Sequence, residues 1–183
     1  MHPPEIPPAV CVVGKKNSGK TTLVVALASE LSRRGWRVAT IKHGHHDFEM
    51  DQEGRDSWRH FHEGGAEASI MCGAGKIGMV MRIEGEPDPE RLVEELYAGR
   101  GYDLVLVEGF KTGALPKIEV FRREVHQRPV YDPVDAEHAA TFLAILTDDP
   151  GLQAAFPVIP LHPKREHVYT VADLLERRFL HGR

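Results

Sequence analysis

The sequence predicts an α/β fold in which a mixed, mainly parallel sheet is flanked by helices and accompanied by one antiparallel hairpin. Three observations carry this. Short apolar runs recur along the chain, helical patterns separate several of them, and a break rich in glycine and lysine lies where the first run passes into the first helical pattern. At 183 residues, 42% hydrophobic and 27% charged, the chain reads as one domain over 1–183. A domain of this size buries about two-thirds of its unfolded surface. Residues 1–8, MHPPEIPP, have neither the basic region nor the apolar stretch of a signal peptide and read as a Pro-stiffened tail.

Taken in order, PAVCVVG (Pro8 to Gly14) is the first strand, and Leu23, Leu27 and Leu31 form one stripe of a helix ending at Gly35. WRVATIKH (Trp36 to His43) is the next strand. ASIMCG (Ala68 to Gly73) and KIGMVMRI (Lys76 to Ile83), pinched at GAGK, read as the antiparallel hairpin. Asp88 as N-cap and Pro89 in the first turn open a helix that buries Leu92, Val93 and Leu96. YDLVLVEG (Tyr102 to Gly109), KIEVFRR (Lys117 to Arg123) and TFLAILTD (Thr141 to Asp148) follow as strands. A last helix begins at Thr170, with Asp173 three residues on, and presents Val171, Leu174, Leu175 and Phe179.

Composition excludes several classes of function. A formal charge of −4 argues against a nucleic-acid binder, and no apolar run approaches the roughly 18 residues that span a bilayer. Cys11 and Cys72 each sit inside an apolar strand-like run, which predicts buried thiols in a reducing compartment, the cytoplasm.

The break after the first strand, Gly14-Lys15-Lys16-Asn17-Ser18-Gly19-Lys20-Thr21, fits GxxxxGK[ST] with a strand leading in and a helix leading out. Backbone N–H groups of such a loop and the positive end of the helix dipole converge on phosphate. The fold expectation is therefore P-loop NTPase-like, with nucleotide bound by Gly14, Lys15, Lys16, Asn17, Ser18, Gly19, Lys20, Thr21 and Thr22. Lys20 is placed to reach the β/γ oxygens, and the Thr21 hydroxyl to ligate Mg²⁺. An acidic residue that holds the metal is also required at the end of a neighbouring buried strand. Glu108, which ends LVLVE before Gly109, is chosen over Asp148, which ends LAILTD.

Lys42 to His60 packs four histidines, five acids and three other basic residues into nineteen positions. In a parallel sheet this loop opens on the same rim as the P-loop. Its acids are suited to positioning water or metal, and its Lys and His residues can neutralise phosphate; the catalytic residue is left open, with Asp51 and Glu108 as the candidates. His43, His45 and His46 also permit a metal site, although their spacing matches no zinc pattern.

GKKNSGKTTL, ATIKHGHHDFEMDQEGRDSWRHFHEGGA, VEGFK (Val107 to Lys111) and PKIEVFR together resemble the MobB family of molybdopterin guanine dinucleotide biosynthesis. The resemblance covers residues 10 to about 150. It implies GTP with Mg²⁺ as the bound nucleotide, slow hydrolysis at best, a homodimer, and association with a MobA-type guanylyltransferase and with molybdopterin or its guanine dinucleotide. Carried onto matching positions, it places Lys42, His43, His45, His46, Asp51 and Lys111 on a neighbouring cofactor or partner surface. No Asn-Lys-x-Asp follows any predicted strand, so guanine over adenine rests on the resemblance. Lys15 reads either as a solvated loop lysine or, as in related P-loop dimers, as a residue reaching the partner's nucleotide.

Two other functions use the same residues. The Glu-Gly pair after LVLV is similar to the corresponding strand end of dethiobiotin synthetase, which implies phosphoryl transfer to a small metabolite. The histidine loop suits a metal-storage or metal-sensing module.

Overall fold

In chain order the elements are β1 (Ala9–Val13), α1 (Lys20–Arg33), β2 (Val38–Lys42), α2 (Asp56–His62), β3 (Ala68–Gly73), β4 (Lys76–Met81), α3 (Pro89–Tyr97), β5 (Leu104–Glu108), β6 (Lys117–Phe121), α4 (Ala136–Ala139), β7 (Phe142–Thr147), β8 (Val158–Pro160) and α5 (Glu166–Phe179). The computed structural model describes residues 4–44, 48–49, 51–162 and 164–181. They fall into two units, 1–43 with 88–183, and 44–87.

The larger unit is built on a six-stranded sheet of order β2-β5-β1-β6-β7-β8 whose strand pairs are all parallel. β1 is apolar at every position because both its faces are covered. Val10 and Val12 face a core shared with Leu23, Leu27 and Leu31 of α1 and Val171 and Leu175 of α5. Ala9, Cys11 and Val13 face the other core, which contains Val93 of α3. α1 ends in a Schellman arrangement: Gly35 N–H donates to the Ser32 carbonyl and Trp36 N–H to that of Leu31, with Gly35 at φ 93°. Asp88 caps α3 as expected, accepting from Arg91 N–H at 3.0 Å.

Several expectations need correction. α5 starts at Glu166, a turn before Thr170, because Val168 extends the buried stripe and the Thr170 hydroxyl donates back to the Glu166 carbonyl instead of capping. In α3, Val93 is buried while Leu92 and Leu96 are half-buried. Residues 4–8 are tied to the fold, with the Glu5 and Pro8 carbonyls accepting from Gly99 and Val105 N–H.

Two charged side chains lie inside the sheet layer, on the same face of β6. Lys117 Nζ donates to the carbonyls of Gly113 and Leu115 and to Thr141 Oγ1, at 2.6, 2.9 and 3.1 Å. The Glu119 carboxylate accepts from Val130 and Tyr131 N–H at 2.6 and 2.8 Å. Burial lowers the Lys117 pKa and raises that of Glu119, and the hydrogen bonds that hold the two side chains all run to neutral groups.

In the smaller unit β3 and β4 pair with each other, antiparallel as predicted, in a sheet separate from the parallel one. α2 lies against β3, with the Ser69 hydroxyl donating to the Ser57 carbonyl. Ile70, Cys72, Ile77, Met79 and Met81 alternate onto one hairpin face, and all are exposed. Cys72 therefore departs from the expected buried thiol, while Cys11 fits it, its pKa pushed up to about 12 chiefly by burial. None of the described residues of 44–87 is buried.

Candidate functional site

β1 delivers the chain to Gly14, whose φ of 145° and crowding both require glycine: a Cβ there would lie 2.5 Å from the Val120 carbonyl oxygen and 2.6 Å from Ser18 Oγ. Asn17 and Gly19 also take positive φ, 63° and 101°, and wind the loop into α1. Gly19 leaves the helix N-terminus without a side-chain cap, and the first turn carries no acid. The first N–H groups of a 14-residue helix thus face the loop with neither a capping side chain nor an acid of the helix's own first turn at the positive dipole end.

The loop's donor set suits an anion. Lys20 Nζ arches back to donate to the Lys15 carbonyl at 2.8 Å. Its pKa is lowered mainly by burial, opposed by Glu108, with Lys111 and Lys42 pushing it down further. Ser18 is 1% exposed, and its hydroxyl has no hydrogen-bond partner among the described residues. A buried hydroxyl in that state is destabilising by about 1–3 kcal/mol, which a phosphate oxygen would relieve.

Sheet register brings up the carboxylate. β5 lies between β1 and β2, and Glu108 is level with Val12 on one side and Lys42 on the other. The Thr21 hydroxyl donates to Glu108 Oε1 at 2.6 Å, and Lys42 Nζ lies 3.7 Å from the same oxygen. A hydroxyl beside a buried carboxylate at the end of the glycine loop is a hard oxygen pair able to hold Mg²⁺ directly or through water. Asp148 follows β7 and lines a cavity beside Thr22; its Oδ1 accepts from Arg123 N–H at 2.5 Å and Arg122 Nε lies 3.5 Å from its Oδ2, which leaves each oxygen a further lone pair.

Of the remaining candidates, His43 N–H donates to the Glu108 carbonyl, and its ring stacks on Phe110 at 4.2 Å. Lys16 and Lys111 are exposed at the surface, and their carbonyls meet His126 and His138. Asp51 belongs to the 44–87 unit, where its carboxylate accepts from the Ser57 hydroxyl and Gln52 N–H. His45 and His46 lie outside the described residues. Among the described residues, no group of three or more His, Cys, Asp or Glu is arranged to hold a metal ion.

Sequence reading missed a cavity of about 360 Å³ that opens beside Ser18, Gly19 and Thr22 and is closed by Arg122, Asp148, His162 and Arg165. A signal was present. HPKREH comes one residue after the apolar triplet Val158–Pro160, and in a parallel sheet the residues after such a strand open on the rim that carries the glycine loop. No helix among the described residues is long and apolar enough to cross a membrane.

Residues 9–148, which include the glycine loop, Lys42 and Glu108, match the family described as Molybdopterin guanine dinucleotide synthesis protein B. The chain is 38% identical over 120 residues to the molybdopterin-guanine dinucleotide biosynthesis adapter protein of Haemophilus influenzae, covering 64% of this chain and 65%, just under two-thirds, of that relative. It is 35% identical over 126 residues to the adapter protein of Escherichia coli, covering 67% and 70% of the two chains. Among solved structures, Bacillus subtilis MobB aligns with a TM-score of 0.68 and 28% identity over 91% of this chain and 97% of its own. The MobB homolog from Bacillus stearothermophilus aligns with a TM-score of 0.66 and 28% identity over 93% and 99%. The match takes in the strand ends that frame the site as well as the loop itself, and on that ground the chain belongs to the MobB family of molybdopterin-guanine dinucleotide biosynthesis adapter proteins.

Proposed function

We propose that the chain binds GTP with Mg²⁺ and acts as a nucleotide-dependent adapter that assists a MobA-type guanylyltransferase. The observation that carries this reading is the Thr21–Glu108 contact at the rim of an uncapped glycine loop, with Lys20, Lys42 and Lys111 around it. In this reading the amides of residues 15–21 and the Lys20 ammonium surround the β- and γ-phosphates. Thr21 and Glu108 hold Mg²⁺, which neutralises charge on the phosphate oxygens. The nucleoside extends past Thr22 into the neighbouring cavity, where the Asp148 carboxylate suits the N1–H and N2–H donors of guanine, which adenine does not offer together.

Glu108, held by Thr21 and flanked by Lys42, positions rather than takes a proton, so the reading includes a weak GTPase at most. In the larger unit Lys42, His43 and Lys111, and in the 44–87 unit His45, His46 and Asp51, are the residues this reading assigns to the partner enzyme or to molybdopterin. A cytoplasmic homodimer completes it. What supports the dimer is the small unit: a two-stranded hairpin with no buried residue and an exposed apolar face needs a cover. The test is calorimetric titration with GTP and ATP, with and without Mg²⁺, followed by capture of a MobA-type enzyme by the GTP-loaded protein. Absence of triphosphate binding, or equal capture with and without GTP, overturns it.

A further inference from the structure

A second cavity, of about 500 Å³, lies wholly inside the 44–87 unit and is lined by Asp51, Trp58, Phe61, His62 and Arg82 together with strand residues of β3 and β4. One wall is aromatic. Trp58 and His62, one turn apart on α2, stack with centroids 4.5 Å apart, and Phe61 meets His62 edge-on at 5.2 Å. Arg82 closes over Phe61 at 4.4 Å and donates to its carbonyl at 3.0 Å. Trp58 and Phe61 are half-buried and line the cavity.

The polar wall holds two carboxylates: Glu49, whose Oε2 lies 3.4 Å from His62 Nε2, and Asp51. Asp51 Oδ1 accepts from Gln52 N–H at 2.8 Å and its Oδ2 from the Ser57 hydroxyl. Each oxygen keeps a further lone pair, and the carboxylate is fixed in orientation by two donors on its own loop and on α2. The Ser57 hydroxyl and the Gln52 amide also hold the Asp51 pKa below its ordinary value, so the group is ionised at neutral pH.

A fixed, ionised carboxylate beside an aromatic wall matches a flat heterocycle that presents two parallel N–H donors from one edge. We propose that this cavity binds a fused 2-amino-4-oxopyrimidine, the ring edge shared by pterins and guanine, with its N–H pair on Asp51 and its ring against Trp58 and Phe61. The choice of a pterin as the natural occupant rests on the functional reading above; the cavity's recognition chemistry does not.

The test uses the full chain without nucleotide. Binding of 6-hydroxymethylpterin is followed by quenching of pterin fluorescence, with lumazine, which carries a second carbonyl in place of the 2-amino group, as the matched control. Guanosine and adenosine form the nucleoside arm, followed by equilibrium dialysis. Pterin binding at least about tenfold tighter than lumazine, lost by a similar factor in Asp51→Asn and in Trp58→Ala but kept in Lys20→Ala, supports a pterin site. Asp51-dependent guanosine binding without pterin binding supports the same edge recognition with a nucleoside source. Equal affinity for pterin and lumazine, or binding of neither pterin nor guanosine at millimolar concentration, overturns the proposal even if the variants fold poorly, since both are read on the parent protein. Loss of triphosphate binding in the parent would sink the adapter reading and leave this result untouched.

Discussion

Thr21 and Glu108 stand 87 positions apart in sequence, yet the Thr21 hydroxyl donates to the Glu108 carboxylate at 2.6 Å. The contact arises because β5 inserts between β1 and β2, so that the last residue of one strand lies beside the first turn of the helix leaving another. Glu108→Gln keeps the shape and removes the charge. Affinity for GTP in EDTA should change by less than about threefold, while the Mg²⁺-dependent gain falls by about tenfold or more, roughly 1.4 kcal/mol. Titration calorimetry with and without Mg²⁺ measures both, and an equal loss in the two conditions would assign Glu108 a structural role.

Lys20→Ala removes the ammonium that bridges back to the Lys15 carbonyl. Triphosphate affinity should drop by about 100-fold or more, roughly 2.8 kcal/mol, with little change in the urea midpoint, since the side chain serves the loop and not the core. Retained GTP binding within threefold of the parent excludes the loop as the phosphate site.

Ile77 is 73% exposed on the apolar hairpin face. Ile77→Asp puts a charge at that position, so light scattering at micromolar concentration should find a dimer in the parent and a monomer in the variant. A parent that is monomeric at about 100 µM removes the dimer from the reading.

Glu30 accepts hydrogen bonds from Arg33 and from Arg34, and these hold its pKa at about 2, below the ordinary 4.5. A depressed carboxylate contributes stability above the unfolded-state value, and that contribution fades as pH falls from about 4.5 toward 2. Arg34 also pairs with Asp173 and Glu176 of α5. Glu30→Gln should therefore be less stable than the parent at pH 7 and should lose less between about pH 5 and pH 3, as read by urea unfolding at each pH. An unchanged slope over that interval would mean that the arginines hold Glu30 equally in the unfolded chain.

Legibility in the sequence followed locality. Gly14, Gly19 and the stripe of Leu23, Leu27 and Leu31 could be read because their signal is contained within one strand-to-helix passage, and Glu108 because it ends an apolar run before Gly109. β8 could not be read: it is three residues long, ends in Pro160, and takes its place by pairing with β7. α2 was missed because a seven-residue helix with no buried residue writes no stripe. Thr170 imitates an N-cap in sequence, and only Val168, one turn upstream, reveals that the helix has already begun. Nothing in KIEVF reveals that its lysine and glutamate are buried, since their partners come from residues 113–141.

Those two β6 side chains give the segments that enter and leave β6 an unusual rank in the hierarchy of motions. Loop amides ordinarily exchange with solvent deuterium through small local openings. Here the amides of Val130 and Tyr131 end on the Glu119 carboxylate inside the sheet layer, and the same strand's Lys117 grips the carbonyls of Gly113 and Leu115. Releasing either amide strands a buried carboxylate, so both should exchange on the timescale of the parallel sheet and not of the surrounding turns, and Glu119→Gln should speed them selectively.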